Sequence, residues 1–559
     1  MSRIFAFLSV ATLVASFWIA AHCQVNVVTY HYDNFRTGQN LQESTLTPSN
    51  VNQSTFGKLF SQTVDGQIYA QPLGLENVQV PGRGQHNVVF VATESDSVYA
   101  FDADDNLGNN AVPLWRDSFI DPGKGITTIP SADVGADSIY PQVGITSTPV
   151  IDANSGTLYV LAATKENGTY VQRLHALDVA SGAEKFGGPV PIQATVSGTG
   201  WGSVGGKVSF DPLRENQRAA LLLSQGVVYI AWASHGLEYT FPYHGWVMGY
   251  DAGTLAQVTV FNATPNGKQG GVWLSGGGLA AGPAGDVYLL TGNGTFDAND
   301  GGIDYGESFL KLTPAKGLAV TDYFTPYNEQ QLSDQDWDLG SGEPLVLPGP
   351  SATAIPLLAV GAGKGGTIYL VDLLHMGGFH SSQNQNLETI NNAFRGHGMY
   401  SSPAFWQQKL YFCAAGDVLR IFQVNGGMIS PTPIATSTHF FHAPGATTVI
   451  SSHGASDGIA WLLEYMKGSS KGHGDPAVLH ALDPTTAIEL YNSNQAGNRD
   501  LPGFSLHFAT PMVANGKVYL ETANELDIFG LLPTRTGSLD DRSKHHEITA
   551  ANAFSAEQR

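Results

Sequence analysis

The chain has 559 residues, 42% of them apolar and 65 of them glycine, so it can bury a large core and is rich in turns. Its formal net charge of −21 argues against nucleic acid and anionic membrane surfaces as partners, because both select a basic face.

Residues 1–23 read as a secretory signal. Arg3 supplies the basic start, Ile4 to Ala21 is apolar, and Ala21-His22-Cys23 precedes cleavage before Gln24. The other reading of this run is a membrane anchor. Later in the chain no run is long and apolar enough to span a bilayer, so the expected location is secreted or periplasmic. Without the signal Cys413 is the only cysteine, which rules out an internal disulfide and leaves stability to packing. In KLYFC it reads as a small buried residue of a strand.

DNFRTGQNLQESTLTPSNVN is polar and turn-rich, and FGKLFSQTV then alternates as a strand. From there one unit repeats: a short strand of small residues, a turn, an apolar strand, then a further strand often of the form hydrophobic-x-Ala-hydrophobic-Asp. The copies begin at IYAQPLGLEN, TSTPVIDANSG, RAALLLSQG, SGGGLAAGPAG, SGEPLVLPG, YSSPAFWQQ, TTVISSHGAS and FATPMVANG. Pro72, Pro149, Pro344, Pro403 and Pro511 recur at their starts. A unit of this size cannot cover both its faces alone, so neighbours must stack and the ring must close. The expected fold is all-β, an eight-bladed β-propeller over residues 24–533. The eighth copy lacks its outer strand, and FGKLFSQTV is the expected replacement. Residues 534–559 have no β pattern and read as a disordered tail, with His545-His546 a solvated pair.

One stretch carries candidate chemistry. The apolar strand DVYLL stops at Thr291-Gly292-Asn293-Gly294, with Trp273 upstream and Trp337-Asp338 downstream. Glycine permits a left-handed backbone at such a turn, which would aim the Asn293 amide out of the sheet end. An aromatic face, an amide oxygen and a carboxylate from neighbouring strand ends suit a flat anionic cofactor and its metal. The same residues also suit a core ring, a turn and a cap. Asn293-Gly294-Thr295 is in addition a glycosylation sequon.

With its VYAFDAD, LHALDVASG and VLHALDPTT repeats, the sequence resembles the quinoprotein dehydrogenases, eight-bladed propellers that bind pyrroloquinoline quinone (PQQ) and calcium. The resemblance implies that Trp273, in VWLSGGG, forms the floor under the quinone by offset stacking. It makes Asn293, in TGNG, and Glu238, in SHGLEYTFPYHGWVMGYD, the calcium ligands, since a hard cation takes oxygen donors. The loop after Glu238 is longer here than in the family pattern. Asp338, in SDQDWDLGSG, matches the catalytic base that takes the alcohol proton as hydride leaves for the quinone. Gly340 stands where lanthanide-type members carry a second aspartate, which favours calcium. Lys364, in GAGKGGTIYLVD, matches the cation beside the quinone oxygens.

There are departures from the family. The stretch YPQVGITSTPV lacks the adjacent cysteines that close a disulfide ring over the quinone, and no Cys-x-x-Cys-His exists to carry a haem. An enzyme of this kind needs an external electron acceptor. The resemblance implies a secreted oxidoreductase acting on a small alcohol or sugar hydroxyl. The alternative is a non-catalytic propeller that serves as a protein- or glycan-binding scaffold. His397, His453 and His507, near the starts of three units, are further ligand or metal candidates without ligand spacing. Trp201, Trp232 and Trp246 are candidates for a carbohydrate surface or for packing between blades. GHGMYSSPAF resembles no nucleophile elbow of a hydrolase.

Overall fold

A computed structural model describes residues 24–349 and 358–533. The signal segment and the C-terminal tail expected from the sequence lie outside the described residues.

Eight antiparallel sheets form an eight-bladed β-propeller, and their chain order follows the eight copies seen in the sequence. Blade three is representative: Leu222–Ser224, Val227–Trp232, Trp246–Asp251 and Gln257–Asn262 pair in that order. The middle strands are apolar on both faces because each blade is sandwiched between two others; VVYIAW is buried along nearly its whole length. The outermost strand, QVTVFN, meets solvent and is mostly exposed or half-buried. The first strands of successive blades contact one another, as Leu222–Ser224 does Val150–Asp152 and Ala280–Ala281, so they line the axis.

The ring closes with chain from both ends. Phe56–Thr63 pairs antiparallel with Glu525–Leu531, completing the sheet begun by Met512–Ala514 and Lys517–Glu521. Lys58 Nζ lies 2.6 Å from Asp527 across this seam.

The hub of the ring is the chain from Val27 to Asn40, whose second half, from Asp33, opens the stretch read as polar and turn-rich. Its backbone bonds to the first strands of successive blades: Val27 to Gly74, Val28 to Ile151, Asn34 to Ala281, Phe35 to Val346, Thr37 to Phe405 and Gly38 to Ile450. Tyr32 and Asn40 both donate to the Val513 carbonyl of blade eight. Arg36 is fully buried in this hub and donates to Leu279 O, Tyr30 O and Thr29 Oγ1. A chain crossing the axis cannot pair along any one sheet, so it spreads its bonds over the blades; blade three is reached by the side chain of Asn34, which donates to Leu223 O. Among the described residues no helix is long and apolar enough to cross a membrane.

Candidate functional site

Three consecutive glycines mark the way from hub to funnel. A Cβ on Gly278 would stand 2.8 Å from the Arg36 guanidinium, one on Gly277 2.9 Å from Glu343 Cβ, and one on Gly276 3.1 Å from Arg218. The axis is therefore a column of charged side chains, Arg36, Glu343 and Arg218, packed against bare backbone. Burial lifts the Glu343 carboxyl to about 8, with Arg36 pulling the other way. Arg218 caps the column and lines a cleft of about 260 Å³.

That cleft collects residues from well-separated segments. Glu238 comes from the long loop of blade three, Trp273 from the link between blades three and four, and Asp336 and Asp338 from the link into blade five. Lys364 follows the second strand of blade five, and His507 and Phe508 precede blade eight. Trp273 is half-buried and faces the cleft, edge-on to Phe508 and Tyr400 with ring centroids 5.4 and 6.2 Å away. Lys364 Nζ is 5.8 Å from the Trp273 ring centroid.

Of the five residues singled out in the sequence, Glu238, Trp273, Asp338 and Lys364 line this cleft, and Asn293 is buried behind them. Asn293 N donates to Asp338 Oδ1 at 2.7 Å, and Asn293 Nδ2 donates to Glu238 Oε2 at 3.3 Å and to Asp336 Oδ1 at 2.8 Å. Lys364 Nζ sits 2.5 Å from Asp338 Oδ2 and 2.9 Å from Asp336 Oδ1. Asn293 is 1% exposed and its Oδ1 is buried without a hydrogen-bond partner. That burial also closes the sequon of Asn293 to glycosylation in the folded chain.

The glycines of the Gly-Asn-Gly turn act otherwise than expected. Neither has a left-handed φ. A Cβ on Gly292 would meet Asp338 Oδ1 at 2.4 Å, and one on Gly294 would meet the Gly270 backbone at 2.5 Å. Glycine here permits close approach and leaves conformation unchanged. Left-handed backbone stands nearby, and not only at glycine: besides Gly270 and Gly276 it includes Leu274 and Ser275, directly after Trp273, and Asp336. Such non-glycine residues cost of order 1–3 kcal/mol each and persist where the surroundings hold them. Ser275 is held by its hydroxyl, which donates to Ser341 O at 2.5 Å.

Electrostatics follow from burial. Desolvation raises the Glu238 carboxyl to about 7, and the neighbouring Asp338 charge adds to it. Burial also raises Asp338, with Lys364 and the Asn293 N–H opposing. Burial alone would depress Lys364, but Asp338 and Asp336 outweigh it and the ammonium is held above its ordinary range.

Two cleft residues were not legible in the sequence. Asp336 brings a third carboxylate, within 4.8 Å of ligand atoms on Glu238 and Asp338. Arg218 is 2% exposed; its guanidinium lies 5.1 Å from the ring centroids of both Tyr69 and Phe508, and both terminal nitrogens lack hydrogen-bond partners. The pattern that could have found Asp336 is its spacing of two before Asp338; nothing in RENQRAALLL sets Arg218 apart.

The remaining candidates disperse. His507 lines the cleft, where burial and Arg218 lower it to about 4. His397 lies edge-on to Phe440, and His453 is exposed. Among the described residues, none of the three joins a metal-type cluster. Trp232 and Trp246 are fully buried and bond to Gln172 and Glu215, so they pack the interior and offer no carbohydrate surface. Trp201 borders a recess beside the cleft that shares Glu238 and Tyr239. Cys413 is buried and free.

No family model matches the chain, and no curated relative does. Solved structures match over most of its length. A quinohemoprotein alcohol dehydrogenase from Comamonas testosteroni is 13% identical with a TM-score of 0.55, covering 90% of this chain and 80% of that one. The quinohemoprotein alcohol dehydrogenase ADHIIG from Pseudomonas putida HK5 gives 13%, 0.54, 90% and 80%. A europium-containing methanol dehydrogenase gives 12%, 0.57, 90% and 98%. At such identity the likeness defines the fold: this is an eight-bladed propeller of the type seen in quinoprotein dehydrogenase structures.

Proposed function

We propose that the protein is a secreted or periplasmic quinoprotein-like oxidoreductase that oxidises a hydroxyl of a small alcohol or sugar, with PQQ and calcium held in the cleft and electrons passed to an external acceptor. The observation that carries this reading is the meeting of Trp273, Glu238, Asp338 and Lys364 at one cleft, with Asn293 bonded to Asp338 and Glu238 behind it. The donor set fits both groups. Glu238, Asp336 and Asp338 supply the carboxylates a hard oxygen-seeking cation requires; Asn293 turns its Nδ2 toward Glu238 and Asp336, so its orphaned Oδ1 joins them only with the amide turned over. Trp273 supplies a half-exposed indole face, and Arg218 an unpartnered buried cation for an anionic ring substituent.

When bound, the quinone supplies the hydride acceptor. Asp338 would take the hydroxyl proton, and burial raises its proton affinity, the direction a general base needs. Lys364 places positive charge beside whatever lies on the indole. One observation favours the scaffold reading: Lys364 Nζ already balances Asp336 and Asp338, an ion triad that needs no metal.

The test is to add PQQ, with calcium or lanthanum, to the full chain, following tryptophan fluorescence and dye-linked oxidation of alcohols and sugars. D338N should keep quinone binding and lose ~10²–10⁴-fold in turnover, the usual share of a general base. Failure to take up quinone with either metal would leave the scaffold reading standing.

A further inference from the structure

A second constellation lies away from the cleft, between blades six and seven. His439 comes from the outer strand of blade six, Ala435–Phe441, and His442 follows it. Glu464 and His480 come from the two middle strands of blade seven, Ser456–Met466 and Asp475–Leu482. His480 pairs across the ladder with Leu462, which puts Glu464, two residues on, at its diagonal on the same face. Glu464 Oε2 lies 2.9 Å from His439 Nε2 and 3.2 Å from His480 Nε2. Its other oxygen is held by the backbone N–H of His442 at 2.9 Å and faces His442 Nδ1 at 2.7 Å. Behind, His480 Nδ1 is 2.7 Å from Glu489 Oε1, and Asn492 Nδ2 donates to Glu489 Oε2.

Blade two provides an internal comparison. Its LHALD strand carries His175, whose Nδ1 meets Glu184 Oε1 as His480 meets Glu489. The histidine–glutamate pair nine residues apart is thus part of the repeat. Among the described residues, only in blade seven does the outer ring nitrogen also face a buried carboxylate and a further imidazole. To donate to both Glu489 and Glu464, His480 would have to be a buried imidazolium, since a neutral ring has one N–H. A metal removes that demand. His480 Nδ1–H donates to Glu489, and its Nε2 lone pair is left for the ion, the carboxylate–histidine–metal arrangement of many metalloproteins.

We propose that His439 Nε2, His480 Nε2 and Glu464 Oε2 bind a zinc-class divalent ion that ties blade six to blade seven. The ligand atoms lie within 4.8 Å of one another. The two nitrogen–oxygen separations are close to the edge of about 3.3 Å between ligands of a tetrahedral zinc. Two imidazoles and one carboxylate are borderline donors, which select zinc and its transition-metal neighbours over calcium. The half-exposed His439 side leaves a fourth position to solvent. The metal joins outer and middle strands and lies apart from the cleft, so it is independent of any redox chemistry there.

The test uses tag-free full chain stripped by chelator and titrated with zinc chloride, and with cobalt chloride as a spectroscopic probe. Expected are one tight zinc per chain, visible cobalt bands of four-coordinate intensity, and a rise in melting temperature with zinc. H439A, which alters a half-exposed side chain, should lose at least tenfold in zinc affinity together with the cobalt bands; H175A should keep both. E464Q provides a second removal of a ligand. If wild type takes up no zinc tightly, or if H439A and E464Q bind it as wild type does, the cluster is only an ion-pair network and the proposal fails.

Discussion

Lys364→Met separates the electrostatics of the cleft from its packing. Lys364 Nζ is 2.5 Å from the buried Asp338 and 2.9 Å from the exposed Asp336. Methionine keeps most of the side-chain volume, so the cavity cost is small. Deleting one partner of a buried pair costs ~3–5 kcal/mol, while the exposed Asp336 contact adds ~1 kcal/mol at most. Coulomb's law at an effective dielectric constant of about 20 caps the close pair at ~7 kcal/mol. We therefore expect K364M to lose ~3 kcal/mol in denaturant unfolding at pH 8. The sign of its pH dependence is fixed. Burial already raises Asp338 above its unfolded value, and without the ammonium it rises further. A raised carboxyl carries no penalty below its unfolded pKa and an increasing one as pH climbs toward the folded pKa. K364M should thus approach wild type near pH 4 and fall behind it as pH rises. D338N in the same background should restore stability, and saturating calcium should help K364M more than wild type, by up to ~2.7 kcal/mol at a hundredfold excess over Kd. A pH-independent loss, or no rescue by D338N, would refute the reasoning.

Trp273→Ala should weaken quinone binding tenfold or more, because stacking and burial of the ring are lost together; titration by fluorescence measures it. Glu238, raised to about 7 from an ordinary 4.5, should make the fold less stable as pH rises between those values, and E238Q should flatten that fall. Unfolding at pH 5 and pH 8 decides it. Arg36→Met strands the carbonyls of Leu279 and Tyr30 and the Thr29 hydroxyl, so a loss of more than ~3 kcal/mol is expected; a loss under ~1 kcal/mol would show that the hub does not hold the ring.

The ring was legible in the sequence because eight stacked blades impose the same demands eight times. TSTPVIDANSG and FATPMVANG share small residues because first strands crowd the axis, and VVYIAW and KLYFC are apolar because both their faces are covered. The site was legible in part: Asn293 just after a strand and Trp273 and Asp338 in the links between blades carry local signatures. The hub was not. Val27 to Gly38 works through backbone groups, which leave no mark in composition, and a buried arginine satisfied by carbonyls looks in sequence like any surface arginine. Asp336 and Arg218 acquire their meaning from chain far away, and no repeat marks them.

The triplet Gly276-Gly277-Gly278 shows why fold and site cannot vary independently at the axis. Each lacks a Cβ for a different partner: Arg218 under the cleft, Glu343 below it and Arg36 in the hub. Gly276 has a left-handed φ and presses on the far end of a flexible side chain; Gly278 meets a guanidinium locked by three hydrogen bonds. Alanine at Gly276 therefore acts mainly on Arg218 and on what the cleft can hold, with the strain of the backbone added. At Gly278 the same methyl must displace Arg36 and with it the bonds that hold the chain across the axis. One short run of sequence thus sets both the floor of the cleft and the hub beneath it, and a change at its first residue reads out as binding while a change at its last reads out as folding.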